Sequence, residues 1–265
     1  EVRRSHDRYH RKQAIQVVSA YLVEAGLVIG ARDTRRKGQE IATVQDLLTQ
    51  LELQGCVVTA DALHCQTATA RAIIEQGGEY VLTVKGNQKG LHKALREVFT
   101  HEQAQGYVGI AHTQTHQVDK AHGRLETRTT TVITDPAYLQ EVDPDGHWWQ
   151  LGSMWRVERT RQLKGRVSRQ ITYGIASLAT SAQELAGYIR AHWHIENKLH
   201  WRLDVVFRED QSRVRQGAAP ANLATLRRIA LNLLQREKTH KAGLKGKRLK
   251  AAWDTAYLLK VLATA

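Results

Sequence analysis

The stretch GCVVTAD, residues 55–61, joins a short apolar run to a carboxylate and decides the class of the fold. Its run CVVTA shows no regular polar alternation, which is typical of a strand buried on both faces of a parallel sheet. A helical pattern follows at residues 66–75, and a second buried strand, EYVLTV, follows at residues 79–84. Strand, helix and strand in this order predict an α/β fold.

The sequence on either side of this stretch extends the pattern. Residues 16–22 and 27–31 are rich in β-branched side chains and flank a turn-like segment, which predicts a hairpin. Residues 43–53 place apolar side chains on one face of a helix, with Thr43 as its N-cap. A further helix is predicted to run to about residue 102. The first part of the chain therefore alternates strands with helices.

The middle and the end of the chain differ from this beginning. From about residue 106 to residue 178 the sequence has β-type segments, with turns predicted at residues 143–146 and 164–165. We expect an antiparallel β insertion with its own small core around three tryptophans. From residue 181 onward the pattern is helical, and residues 241–247 are predicted to form a mobile basic loop. The three tryptophans are Trp148, Trp149 and Trp155.

The charge of the chain indicates a polyanionic partner. Lys and Arg number 39 against 26 Asp and Glu, which leaves a net charge of +13. Residues 187–265 contain 16 of these basic residues and 6 acidic ones. Nucleic acid is the expected partner and an anionic membrane surface the weaker one, while a basic, solvated helix face is the structural alternative.

Composition also excludes several classes of protein. No stretch approaches the roughly 18 apolar residues that a membrane helix needs. The only cysteines, Cys56 and Cys65, exclude a disulfide scaffold and an all-cysteine zinc site. We therefore expect a cytoplasmic protein.

Asp61 is the first candidate for chemistry. It directly follows a buried strand, and α/β sheets place ligands and metals at the carboxyl ends of such strands. An Asp in this position is also a common helix N-cap, so its position alone leaves both interpretations open.

The second candidate region is RAHWHIENKLHWRLDVVFRED, residues 190–210. On an α-helix, His192, Glu196 and His200 lie along one side, which indicates a metal ligand or a general base, or else a solvated face with ordinary ion pairs. Zinc is disfavoured because the spacing is not HExxH and a further strong ligand is missing. Trp193 and Trp201 are expected in the core, with stacking on a flipped base as the alternative.

Asp61 and Glu196 together suit one kind of enzyme. A nuclease with two divalent ions needs carboxylates from separate elements, because the two ions hold the attacking and the leaving oxygen of a phosphoryl transfer. Mg²⁺ fits because it binds few carboxylates together with phosphate oxygens and water. Asp61 and Glu196 would supply two ligands, and a third is missing.

Six strings of the sequence carry a family resemblance. They stand in one order and span nearly the whole chain: VVSA at Val17, GCVVTADALHCQ at Gly55, EYVLTVKGNQ at Glu79, AHGRLETR at Ala121, IRAHWHIENKLHWRLDVVFRED at Ile189 and APANLATLRRIALNLL at Ala219. With these strings the sequence resembles the DDE transposases of bacterial insertion sequences, specifically the group of H-repeat-associated proteins.

The resemblance implies a fold and an activity. It implies an RNase H-like mixed sheet with helices, formed by residues 1–105 and 179–265 and interrupted by a β insertion at residues 106–178. It also implies Mg²⁺-dependent cleavage and joining of DNA at transposon ends, with Mn²⁺ as a substitute, by a homodimer in a synaptic complex. Asp61 resembles the second Asp of the catalytic triad and Glu196 its terminal Glu, and both would bind metal.

The chain departs from the family in two places. Where related transposases have Tyr, Arg and Lys around the final Glu, this sequence has Ile189, His192 and Leu203. The family's first Asp lies in an Asp-Gly-Lys string shortly before residues like those at positions 2–5, and Asp7 is no replacement because no strand surrounds it. We therefore expect that the first core strand is missing and that this chain is inactive.

Two alternatives to a complete transposase stay open. One is a DNA-binding remnant without catalysis, which the coding sequence upstream of Glu1 would distinguish. The other is a nuclease without strand transfer.

DNA contacts are expected from basic and polar residues. Lys85, Asn87 and Gln88 follow a strand at the same edge as Asp61, and they either contact DNA phosphates or position a nucleophile, or else form a polar turn. Arg124, Glu126 and Arg128 share one strand face, which either lies along DNA or forms a surface charge ladder. The residues predicted to bind DNA are Lys85, Asn87, Lys198, Arg202, Arg213, Arg215, Arg227 and Arg228, with the basic cluster at residues 241–250 as further phosphate contacts.

Overall fold

The computed structural model describes residues 5, 14–34, 38–121 and 123–264, so that Asp7 and His122 lie outside the described residues. The chain divides into two compact units, which are described separately. The sheet unit comprises residues 48–192, and the helical unit comprises residues 1–47 and 193–265. These boundaries differ from the three segments expected from the sequence.

The described part of the chain contains eight strands and nine α-helices. A π-helical segment, Ile195–His200, leads directly into the short helix Trp201–Val205. The strands are β1 (Gln16–Leu22), β2 (Leu27–Thr34), β3 (Val57–Ala60), β4 (Glu79–Val84), β5 (His112–Ala121), β6 (Arg124–Ile133), β7 (Ser153–Leu163) and β8 (Arg166–Ala176). The α-helices are α1 (Glu40–Leu48), α2 (Thr67–Glu75), α3 (Lys89–Ala104), α4 (Pro136–Val142), α5 (Ala182–His194), α6 (Trp201–Val205), α7 (Ala219–Arg236), α8 (Leu244–Trp253) and α9 (Thr255–Leu262).

A six-stranded mixed sheet organises the sheet unit. The strand order is β3-β4-β8-β7-β6-β5, with β3 and β4 parallel and every other pair antiparallel. The chain passes from β3 through α2 to β4, as the predicted strand–helix–strand pattern requires. The α/β class and the antiparallel character of the insertion are therefore confirmed. The prediction that the strand before Asp61 is buried on both faces is wrong, because β3 lies at the edge of the described sheet and all four of its residues are only half-buried.

The insertion has no separate core, which corrects the sequence-based expectation. Strand β8 pairs with β4, for example through Leu82 and Ile175, so the insertion extends the sheet that carries Asp61. Trp155 is buried in a cluster with Val81 of β4 and Leu185 of α5. Trp148 is also buried, but the side chain of Trp149 is exposed and stacks against Arg71, whose guanidinium carbon lies 4.5 Å from the ring centroid.

The two faces of this sheet are covered by different helices. Helix α5 packs on the face that carries Val81, Val132 and Trp155. Helix α3 packs on the opposite face, where the ring of Phe99 lies 5.9 Å from that of Tyr173. Both inner faces are apolar, which explains why β4 has no polar alternation.

One of the two predicted hairpin turns is confirmed. Lys164 and Gly165 have φ angles of 48° and 76° and connect β7 to β8, as in a hairpin turn with two left-handed residues. Residues 143–146 instead follow helix α4. There the buried carboxylate of Asp143 accepts hydrogen bonds from the backbone N–H groups of His147 and Trp148. The sequence suggested a hairpin because Asp, Pro and Gly favour turns of several kinds.

The helical unit is built around the β1–β2 hairpin and helix α7. The side-chain amide of Asn232 on α7 accepts a hydrogen bond from the N–H of Val28 at 2.9 Å and donates one to its carbonyl oxygen at 2.7 Å. Val28 packs with Leu199, Leu203 and Leu231 in a buried cluster. The predicted hairpin is thus confirmed, and a polar side chain fixes it on the helix.

Two helix boundaries differ from the predictions. Helix α1 begins at Glu40, so that Thr43 lies inside it and donates its hydroxyl to the carbonyl oxygen of Gln39. Helix α8 begins at Leu244, so half of the predicted basic loop is helical. In the described part of the chain, no helix is both long and apolar enough to cross a membrane.

Candidate active site

Asp61 stands at the carboxyl end of β3, where the parallel strands β3 and β4 end together. A short 3-10 helix, Ala62–His64, begins directly after it. The carboxylate makes no capping hydrogen bond to this helix. Its side chain is 77% exposed, so the N-cap interpretation does not account for it.

His192 on helix α5 binds this carboxylate. Its Nε2 lies 3.2 Å from Oδ1 of Asp61, and its Nδ1 lies 3.2 Å from Oγ1 of Thr59. A carboxylate only accepts hydrogen bonds, so Nε2 is the donor in the first contact. Thr59 and Asp61 are two positions apart and lie on the strand face that α5 covers. The imidazole therefore fixes Asp61 Oδ1, while the side chain as a whole stays exposed.

The surroundings of Asp61 favour its ionised form. The hydrogen bond from His192 lowers the pKa of the Asp61 carboxyl below its ordinary value, against an opposing effect of partial burial. The charges of His192, His64 and Lys85 act in the same direction as the hydrogen bond. At neutral pH the site therefore presents a negatively charged oxygen.

The loop after β4 is tied to the loop after β3. Asn87 donates its side-chain amide to the carbonyl oxygen of Ala62 at 2.7 Å, and Gln88 donates to that of Cys65 at 2.9 Å. These hydrogen bonds are those expected if Asn87 and Gln88 form a polar turn. Lys85 is exposed, and its positive charge helps to lower the pKa of Asp61. Its contact with DNA stays a prediction.

Glu196 belongs to the helical unit and is exposed there. It lies in the π-helical segment Ile195–His200, whose wider turn breaks the α-helical stripe expected for His192, Glu196 and His200. Single π-turns inside α-helices often occur at functional sites. Leu199 and Leu203 anchor this region in the core of the unit.

Two tryptophans of the same region face solvent. Trp193 is 56% exposed and Trp201 is 57% exposed, which corrects the expectation that they belong to the core. Local sequence could not show this, because amphipathic spacing is compatible with either orientation at the edge of a buried face.

The predicted DNA-binding residues of the helical unit differ in accessibility. Arg228 is buried and donates hydrogen bonds to Glu209 at 3.1 Å and to Ser19 at 2.9 Å. Its guanidinium group therefore binds partners inside the protein, which argues against its predicted contact with a DNA phosphate. Arg227 is half-buried 4.0 Å from Glu209, and burial lowers its pKa. The other members are Arg202, which donates to Gln235 at 2.8 Å, Lys198, which is half-buried, and Arg213 and Arg215, which are exposed.

The two predicted metal ligands fit a metal ion by donor type. Among the described residues, no group of three or more His, Cys, Asp and Glu is arranged to hold a metal ion. Asp61 and Glu196 are each exposed carboxylates, and carboxylate oxygens are the ligands that Mg²⁺ prefers. Each of the two residues is therefore chemically suited to the predicted metal.

The sequence is similar to proteins of one family over almost its whole length. The family described as Transposase DDE domain matches residues 1–233. YbfL and the H repeat-associated protein YhhI, both of Escherichia coli K12, are each 38% identical over 99% of this chain and 69% of their own length. YncI of Escherichia coli O157:H7 is 39% identical over 99% of this chain and 67% of its own length. The chain therefore belongs to the transposase DDE domain family.

Proposed function

We propose that this protein is an insertion-sequence transposase that cuts and joins DNA, and that Asp61 and Glu196 are metal-binding carboxylates of its active site. The observation that carries the proposal is the state of Asp61. It is an ionised, exposed carboxylate at the carboxyl end of the half-buried strand β3, where it caps no helix and is oriented by a histidine. A carboxylate with these properties suits a ligand of a hard cation.

Two residues of the chain orient the Asp61 carboxylate. His192 holds Oδ1 of Asp61, and Thr59 holds the opposite nitrogen of the imidazole. Side chains that orient a metal ligand in this way commonly raise metal affinity. When bound, Mg²⁺ would activate water or a DNA 3′-hydroxyl for attack on a phosphodiester.

Other features of the proposal come from the family. They include an RNase H-like arrangement in which the family's first core strand bears the first Asp of the triad, DNA at transposon ends and targets as partner, a homodimer, and a cytoplasmic location. Lys85, Asn87, Arg213 and Arg215 are the exposed members of the predicted DNA-binding set, and Lys198 and Arg202 are half-buried. Each of these statements stays a prediction.

A second candidate function is DNA binding without catalysis. It is supported by the net charge of +13, which favours a polyanionic partner whether or not catalysis follows. The basic composition suits this function equally well.

The experiment that tests the proposal is a cleavage assay on plasmid DNA that carries the element's ends. The wild type of this assay carries the family's Asp-Gly-Lys string ahead of residue 1, so that all three carboxylates of the family's triad are present. It is compared with its Asp61→Asn and Glu196→Gln variants in Mg²⁺, Mn²⁺ or Ca²⁺, and DNA affinity is measured by fluorescence anisotropy in parallel. The control is Asp145→Asn, because Asp145 is an exposed carboxylate of a loop after α4.

We expect cleavage in Mg²⁺ and Mn²⁺, its loss in Asp61→Asn and Glu196→Gln, and DNA affinity close to wild type in all variants. Cleavage that survives either substitution would refute the assigned residues. DNA binding without any cleavage would support the second candidate function, and cut products without joined products would indicate a nuclease without strand transfer.

A further inference from the structure

The outer halves of β5–β8 carry an uneven charge on their two faces. Residues directly opposite each other in an antiparallel pair share a face, so the register assigns each side chain to one side. One side continues the surface on which α5 packs. We call its arginines the arginine face: Arg124, Arg128, Arg159, Arg161, Arg166 and, from the end of α5, Arg190.

Two acids of this face neutralise only part of its charge. Oδ2 of Asp119 forms ion pairs with a guanidinium nitrogen of Arg128 at 3.1 Å and with one of Arg190 at 2.9 Å. Glu126 is buried and pairs with Arg124 at 3.7 Å and with Arg128. Within the described chain, Arg159 and Arg161 show no ion pair with an acid.

Arg159 and Arg161 lie on the same face of β7. Arg159 is directly opposite Arg128, and Arg161 is directly opposite Glu126 without forming an ion pair with it in the described structure. Like charges directly opposite each other destabilise a sheet, because their Cβ atoms are only about 5 Å apart. In the described part of the protein, the buried Nε of Arg161 also has no hydrogen-bond partner. An anion bound to the exposed guanidinium nitrogens of this face would offset the repulsion between the arginines.

The reverse side of the same strands differs. There Glu158 pairs with Arg169 at 2.5 Å and with Arg156 at 2.6 Å, and the strand positions around this cluster are mainly Thr, Val and Ile. The reverse face thus carries three basic side chains, Lys120, Arg156 and Arg169, against one acid, and the arginine face is the more basic of the two.

We propose that the arginine face binds the phosphate backbone of DNA. Guanidinium groups match phosphate oxygens with paired N–H donors, and a row of them across neighbouring strands suits a repeating polyanion. The contact reads no base sequence, because it is made to phosphates alone. The identity of the polyanion rests on the proposed transposase function, whereas the surface itself is defined by the strand register.

The test compares two charge-matched variants of the full chain. Arg159→Gln/Arg161→Gln removes two charges from the arginine face. The control, Lys120→Gln/Arg169→Gln, removes two charges from the reverse face of the same sheet. Affinity is measured by fluorescence anisotropy over a salt series, on a duplex from the element's end and on a random duplex of equal length.

We expect the first variant to bind both duplexes on the order of tenfold more weakly at moderate salt, and its plot of log affinity against log salt to flatten by about 1.8. The control should keep the wild-type slope. Arg159→Lys/Arg161→Lys, which keeps both charges, should keep most of the slope and thereby separates a phosphate contact from damage to the fold.

Equal slopes for the two charge-removing variants would overturn the inference. If wild type binds and cleaves DNA while this result is obtained, only the arginine face is refuted. If wild type binds no DNA at any salt concentration, the proposed function fails together with it.

Discussion

Nε2 of His192 lies 3.2 Å from Oδ1 of Asp61, although the two residues are 131 positions apart in the sequence. The same imidazole reaches Thr59 through its other nitrogen. His192 thus connects the last turns of α5 to the end of β3. It occupies the position where the family resemblance led us to expect an arginine, and it acts on the carboxylate that we propose as a metal ligand.

We predict that His192→Ala lowers Mg²⁺-dependent cleavage by about 10- to 100-fold at limiting metal, because an unoriented carboxylate binds metal more weakly. High Mg²⁺ should restore part of the rate, while DNA affinity stays near wild type. The measurement is the cleavage rate over a Mg²⁺ titration.

His192→Gln retains an amide donor and should recover part of the metal affinity. His116→Ala is the control, because His116 also contacts a threonine hydroxyl, at 3.0 Å, but lies on β5. An unchanged Mg²⁺ dependence in His192→Ala would show that the histidine does not act through Asp61.

A second prediction concerns the join between the insertion and the rest of the sheet. A Cβ at Gly174 would lie 2.1 Å from the ring of Trp155 and 2.3 Å from the carbonyl oxygen of Leu82. We expect Gly174→Ala to lower the free energy of unfolding by about 3 kcal/mol, because neither neighbour can move freely. Urea unfolding followed by tryptophan fluorescence measures the loss.

Gly187→Ala is the matched control for this substitution. Gly187 lies in α5, and a Cβ added there would meet nothing within 4 Å, so alanine should stabilise the helix by about 1 kcal/mol. Equal stabilities for the two variants would mean that β8 does not pack against β4 as described.

A third prediction separates a buried arginine from an exposed one. Arg228 and its partner Glu209 are both buried, so Arg228→Ala should cost about 3 kcal/mol of stability by leaving an unpaired carboxylate. Arg213 is exposed, and Arg213→Ala should leave stability within about 0.5 kcal/mol.

The salt dependence of DNA binding should show the opposite order. Arg213→Ala should flatten the slope of log affinity against log salt by about 0.9, and Arg228→Ala should leave it unchanged under folding conditions. A flatter slope in Arg228→Ala would restore this residue as a phosphate contact.

A fourth prediction concerns acid stability. Hydrogen bonds from Thr239, Tyr257 and His240 hold the pKa of the buried Glu237 carboxyl at about 2, below its ordinary value of 4.5. A depressed folded-state pKa stabilises the protein above the unfolded-state pKa, and this stabilisation disappears as the pH falls from about 4.5 towards 2. Lys247, also buried, lies 3.7 Å from the same carboxylate.

Glu237→Gln should therefore lower Tm by several degrees at neutral pH, and its difference from wild type should shrink below about pH 4.5. Thermal melts between neutral and acidic pH measure this. A Tm difference that stays constant over the whole range would contradict the proposed role of the Glu237 charge.

Much of the secondary structure was predictable, because it depends on neighbours in sequence. The strand at residues 79–84 matches β4 residue for residue, and the strand with Asp61 at its end matches β3 to within one residue. The turn at Lys164 and Gly165 was predictable because a lysine–glycine pair suits a tight hairpin. The strings that resemble DDE transposases were equally local, and the family match confirms them.

The predictions that failed concern contacts over long distances. Three tryptophans suggested a separate core, but the pairing of β8 with β4 places Trp155 in the shared sheet. Arg228 and Arg213 are chemically equal in the sequence, yet one points into the protein and the other into solvent.

The sequence by itself determined the order of strands and helices, the family, and a carboxylate at the end of an apolar strand, since each of these is encoded in short apolar or recurring stretches. Only the tertiary structure decided that His192 serves Asp61, that the insertion extends the sheet, and that six arginines gather on one of its faces. The physical reason is that local periodicity fixes which side of an element a residue occupies, whereas its partner depends on which distant element packs there.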